Sequence, residues 1–139
     1  MLVGMRLVVV AVGRTVDPVK VFSENIVDIE NADIESICLA DQKKKFFDFI
    51  RSADVLIHDA QYTPEEYHSR IGWGHCSFST AVKSALYGQV KHLVLFHHDP
   101  QRTDTQIGEY LQSCAAMVRA TGAGLLVSAA SQTAPPIFL

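Results

Sequence analysis

An α/β fold is predicted, a sheet with helices packed on it, and three observations predict it. Short apolar runs rich in Val, Leu and Ile recur at residues 6–12, 54–58, 91–96 and 124–128. Between the later ones lie segments with helix-start residues, and strand–helix–strand alternation of this kind builds layered α/β sheets. The composition agrees: 48% hydrophobic and 19% charged over 139 residues is enough apolar material for one core and too little charge for disorder. The chain is read as a single domain spanning 1–139, without repeats or linkers.

The elements follow in order. Residues 6–12 (RLVVVAV) read as a buried strand, because β-branched side chains suit a pleated surface. Gly13 to Pro18 form a turn. A short strand is expected near residues 25–29. The acids Glu24, Asp28, Glu30, Asp33 and Glu35 read as a solvated face. Asp41 is placed as the cap of a helix reaching Ser52, with Phe46, Phe47, Phe49 and Ile50 as its apolar stripe. Residues 54–58 are the next strand. Thr63, Pro64, Glu65 and Glu66 start a helix: a cap, a proline at the first position, then acids at the positive end of the dipole. Ser77 or Ser79 opens another helix, ended by Gly88. Strand 91–96 follows, then a helix capped by Thr103 or Asp104 and closed near Gly122, then strand 124–128. The tail from Ser131 onward reads as irregular.

Charge and cysteine usage narrow the function classes. A net charge of −3 gives no broad basic field, so non-specific nucleic-acid binding is not implied. Three widely spaced cysteines suit reduced thiols in a cytoplasmic protein. The N-terminal apolar run is too short to span a bilayer, and no signal peptide or membrane partner is expected.

Chemistry gathers in residues 54–100. Two strands end in His/Asp clusters, His58-Asp59 and His97-His98-Asp99, and GWGHCS at 72–77 introduces the helix between them. LIHDAQY, GWGHCS and LVLFHHDP together resemble the LIHEATF-type, GWGHST and LTHFSP elements of metallo-β-lactamase-fold hydrolases. The similarity is to the branch of ribonuclease Z and related phosphodiesterases, with Cys76 where Ser is usual. It extends over residues 41–104 and points to the C-terminal half of such a domain: a partial αββα sandwich with a mixed sheet and flanking helices. The family's first metal motif, H-x-H-x-D-H, is absent, since no histidine precedes His58. A complete domain of this type has about 200–250 residues, so the resemblance implies half a metallohydrolase with a different or shortened N-terminus.

The resemblance also implies roles. His97 falls on the last histidine metal ligand, for zinc or manganese. His98 and Asp99 would orient its ring. Asp59 and His75 match a carboxylate–histidine pair that passes a proton to the leaving group. Gly72 and Gly74 would let the backbone bring His75 into a crowded site. Asp17 is the candidate bridging acid. The implied substrate is a small phosphodiester or cyclic nucleotide. His58 precedes Asp59, faces the other side of its strand and reads as structural. Tyr62 and Trp73 read as core or loop packing, although either ring can stack on a base.

Two other readings stand beside the hydrolase. One is a non-catalytic half-domain that dimerises or binds a partner. The other is a receiver-like signalling module phosphorylated on Asp59, which the absence of a lysine after Lys91 disfavours. The apolar strands further predict a homodimer, or a partner chain, packed on one sheet face.

Overall fold

Strand-forming and helix-forming stretches fall close to where the pattern puts them in the computed structural model, which describes residues 7–10, 37–70 and 73–135. In chain order these are β1 (Leu7–Val10), α1 (Ile37–Ile50), β2 (Val55–Asp59), α2 (Pro64–His68), α3 (Phe78–Tyr87), β3 (His92–Phe96), α4 (Asp104–Thr121) and β4 (Leu126–Ala129). The strands form one sheet in the order β1-β2-β3-β4, and each neighbouring pair is parallel. The fold class is therefore the expected α/β one, with flanking helices. The described strands pair only in parallel, where a mixed sheet was expected.

A parallel pair cannot be closed by a hairpin, so each connection crosses back over the sheet. Right-handed crossovers between strands laid down in sequence order put every helix on the same face. The core shows this arrangement for α1, α3 and α4. Leu56, Leu93 and Leu95 of the sheet pack with Phe47 and Ile50 of α1, Ala81, Val82 and Ala85 of α3, and Cys114 and Val118 of α4. The other face carries Val55 and Val94, which are buried, and Phe96 and Leu126, which are exposed.

The caps account for the helix boundaries. Thr63 accepts from the Glu66 amide while Glu66 accepts from the Thr63 amide, a capping box in front of Pro64. Ser77 caps α3 by accepting from the Thr80 amide. Thr103 caps α4 with a second capping box through Gln106, and Gly122 at φ +70 ends it. α1 starts at Ile37, so Asp41 lies inside the helix and is not its cap. The strand expected near 25–29 and the residue Asp17 lie outside the described residues.

α1 and α3 meet at Gly88. A Cβ there would stand 2.7 Å from Ile50 Cδ1 and 3.2 Å from the Ser84 carbonyl oxygen. Ile50 is fully buried and has little room to yield. Gly88→Ala is expected to destabilise the fold by about 1–3 kcal/mol, the cost of overpacking a core, read as a lowered urea midpoint at unchanged slope.

His58 behaves as a structural residue. It is 1% exposed on the helix-covered face, and its Nδ1 lies 2.8 Å from the Asp59 carbonyl oxygen. Phe46 meets its ring edge-on. Burial pushes its pKa below the usual imidazole value, against the opposing influence of the Asp59 backbone. Among the described residues, no helix is long and apolar enough to cross a membrane.

Candidate functional site

In open parallel sheets, sites form beyond the carboxyl ends of the strands. Asp59 ends β2, and the parallel register sets it opposite Phe96, the last residue of β3. His97 therefore emerges one step past Asp59's neighbour. Its backbone holds φ +59, a left-handed conformation that costs a non-glycine residue free energy and recurs at functional sites.

His75 reaches the same place by a different route. The chain leaves α2, turns, and is strapped back beside the extension of β2. The Tyr62 amide donates to the Cys76 carbonyl (3.1 Å) and the Phe78 amide to the Tyr62 carbonyl (3.0 Å). Gly74 makes this path possible at φ +86. A Cβ on Gly74 would meet nothing within 4 Å, so Gly74→Ala costs backbone strain alone, about 1–2 kcal/mol. Its larger expected effect is a displaced His75. The displaced ring should show in the imidazole NMR shifts of His75, while the melting temperature falls only by the backbone strain. Gly72 lies outside the described residues.

Asp59 is the centre of the cluster. Its carboxylate is 6% exposed, and three donors reach it. Oδ1 lies 3.1 Å from His75 Nδ1 and 2.9 Å from His97 Nδ1, and Oδ2 accepts the Cys76 amide at 2.7 Å. A buried carboxylate persists only when it is satisfied in this way. The two imidazole rings stack, 4.8 Å between centroids and 25° between planes. The Tyr62 ring meets His75 edge-on at 5.8 Å. His75 is 28% exposed and His97 53%, so the carboxylate is closed off while both imidazoles remain reachable.

The expected proton pair, Asp59 and His75, is thus within hydrogen-bond reach. His97 joins them, a convergence the sequence reading did not include. The signal for it was available: two parallel strand ends in register bring Asp59 and the residue after Phe96 together. The Cys76 amide carries no signal in the side-chain sequence. The carboxylate on His97 Nδ1 is Asp59's. Asp99 closes the turn that follows: its Oδ1 accepts the Gln101 amide and its carbonyl the Arg102 amide. His98 is half-buried, and among the described residues its Nε2 has no hydrogen-bond partner. Burial lowers its pKa, against the opposing influence of the Ala130 backbone. The loop after His97 is tied to α2 by an ion pair between Arg102 and Glu66. Burial works against the Glu66 charge, but the Thr63 amide and Arg102 outweigh it and hold the carboxyl below its usual value.

One oxygen of Asp59 and one nitrogen each of His75 and His97 lie within 4.8 Å of one another. Carboxylate oxygen with two imidazole nitrogens is a donor set that suits zinc or manganese. With each Nδ1 on the Asp59 carboxylate, Nε2 is the ring nitrogen left over. A carboxylate behind an imidazole is the usual support of a metal-ligating histidine, because it fixes the tautomer and the ring orientation.

No protein-family model matches the chain. It is similar to ribonuclease Z of Thermoplasma acidophilum, 36% identical over 64 residues, which is 45% of this chain. The chain spans 20% of the length of that curated relative. The partial similarity agrees with the motif resemblance and with the α/β sheet.

Proposed function

We propose that the chain is a metal-dependent hydrolase of the metallo-β-lactamase type, resembling the C-terminal half of that domain and acting on phosphodiesters or cyclic nucleotides. The observation that carries the reading is the Asp59 carboxylate, which anchors two stacked, solvent-reachable imidazoles by their Nδ1 atoms. The similar protein is named a ribonuclease, and RNA is joined by phosphodiester bonds.

In this reading His97 offers Nε2 to zinc or manganese, with Asp59 fixing its ring. The ion would supply Lewis-acid polarisation of the phosphoryl group. His75, oriented by the same carboxylate, gives a proton from Nε2 of its imidazolium form to the leaving oxygen and is left as the neutral ring with its proton on Nδ1. Asp17 is the proposed further acid, and His98 supports the strand-end loop. With Asp59 kept behind the ring and His75 kept as proton donor, His97 is the one ligand this reading draws from the cluster; catalytic zinc sites take about three protein ligands, so the proposal includes a contribution from a second copy or a partner chain. The exposed Phe96 and Leu126 offer that chain an apolar contact on the sheet face away from the helices. The odd number and wide spacing of the three cysteines support a cytoplasmic setting.

The test is hydrolysis of bis(p-nitrophenyl) phosphate by protein loaded with zinc or manganese. The expected result is turnover that a chelator abolishes and that His75→Ala and His97→Ala both lose. Metal-free, inactive wild-type protein would instead support the non-catalytic half-domain.

A further inference from the structure

Beside His75 stand two groups that the hydrolytic roles leave unused. Trp73, the chain's sole tryptophan, comes two residues before His75 and is 67% exposed. Of the two rings expected to pack, Tyr62 does so at 3% exposure and Trp73 does not. An indole held in water beside a candidate site has an open π-face that another ring can cover.

Arg70 links the two rings. Its guanidinium carbon stands 5.0 Å from the Tyr62 ring centre and 5.9 Å from that of Trp73. Tyr62 in turn touches His75, so a chain of contacts runs from Trp73 through Arg70 and the buried Tyr62 to His75. The Arg70 amide donates to the Tyr67 carbonyl and the Trp73 amide to the Arg70 carbonyl. Glu66, the acid whose charge Arg70 feels, is committed to Arg102. Among the described residues, no acceptor pairs with the Arg70 side chain, so a fork of N–H donors stays available for an anion.

We infer that Trp73 and Arg70 form a nucleotide subsite, in which a nucleobase stacks on the indole and a phosphate oxygen takes the guanidinium. The inference deepens the proposed function by naming the ring-bearing half of the substrate. It explains why a chain without a broad basic field can still select a nucleic-acid-type ligand: one stack and one local charge recognise a single nucleotide. A substrate with a bare phosphate would gain only the charge.

The sole tryptophan makes the test direct. Indole fluorescence of the purified chain is titrated with 5′-AMP, adenosine and ribose 5-phosphate. Saturable quenching by 5′-AMP is expected, with weaker quenching by adenosine and none by ribose 5-phosphate. Arg70→Gln should bring 5′-AMP down to the affinity of adenosine. By calorimetry, Trp73→Ala should bind 5′-AMP about tenfold more weakly, the order of effect that loss of one base stack brings. No saturable quenching by 5′-AMP, or equal 5′-AMP affinity in wild type and Trp73→Ala, would overturn the subsite. Metal-dependent hydrolysis without 5′-AMP binding removes the subsite and leaves the hydrolase. Binding of 5′-AMP without hydrolysis leaves the subsite and removes the hydrolase.

Discussion

Asp59→Ala is expected to lower the hydrolytic rate by about 10²–10⁴-fold, the contribution of a positioned general acid, and also to destabilise the fold. Both effects come from the same three contacts. Removal of the carboxylate frees the His75 and His97 rings and strips the Cys76 amide of its acceptor in a buried place. An orphaned buried donor costs about 1–3 kcal/mol, and the lost anchors for two rings add to it. Asp59→Asn separates the two consequences. An amide oxygen can still accept from the Cys76 N–H, and the side-chain volume is kept, so most of the stability should return. Its –NH₂ cannot accept from either imidazole, so the activity should not. Melting curves and rates measured on both variants check this. Equal activity in wild type and Asp59→Asn would remove the proton-donor role.

The second large effect concerns metal. His97→Ala should abolish uptake of zinc or manganese by the purified chain, whereas His92→Ala should leave it unchanged. His92 lies at the far end of β3, with its Nε2 against Ser128 Oγ at 2.8 Å, so it serves as an internal control. Asp59→Asn should weaken uptake by about 10–100-fold, the usual cost of removing the carboxylate behind a ligating imidazole. Elemental analysis after dialysis against metal measures all three. Equal metal content in wild type and His97→Ala would remove the ligand assignment.

Much of the fold is legible because the signals are local. Thr63, Ser77 and Thr103 announce their helices by cap chemistry, and Gly88 and Gly122 announce where two of them end. The strands were legible from short β-branched runs between turn residues. The start of α1 is not legible, because Asp41 has the chemistry of a cap, yet the helix extends one turn further back, to Ile37. Sheet direction was not legible: periodicity reports which residues are buried and is silent on how strands pair. The site was legible in its parts and not in its closure. Asp59 and His75 were joined by motif, while the bond from Asp59 to His97 spans 38 positions and depends on strand register. Trp73 shows the opposite limit, since nothing in its neighbours distinguishes a packed indole from an exposed one.

The central claim is that one carboxylate holds both imidazoles by Nδ1 and leaves both Nε2 atoms to work. A long-range proton–nitrogen correlation spectrum of the metal-free chain tests it most directly, recorded at about pH 9, where ordinary imidazoles are neutral. The account predicts that His75 and His97 both carry their proton on Nδ1, the minor tautomer of free histidine, and that Asp59→Asn releases both from it. Nε2-protonated rings for His75 and His97 in the wild-type chain would contradict it.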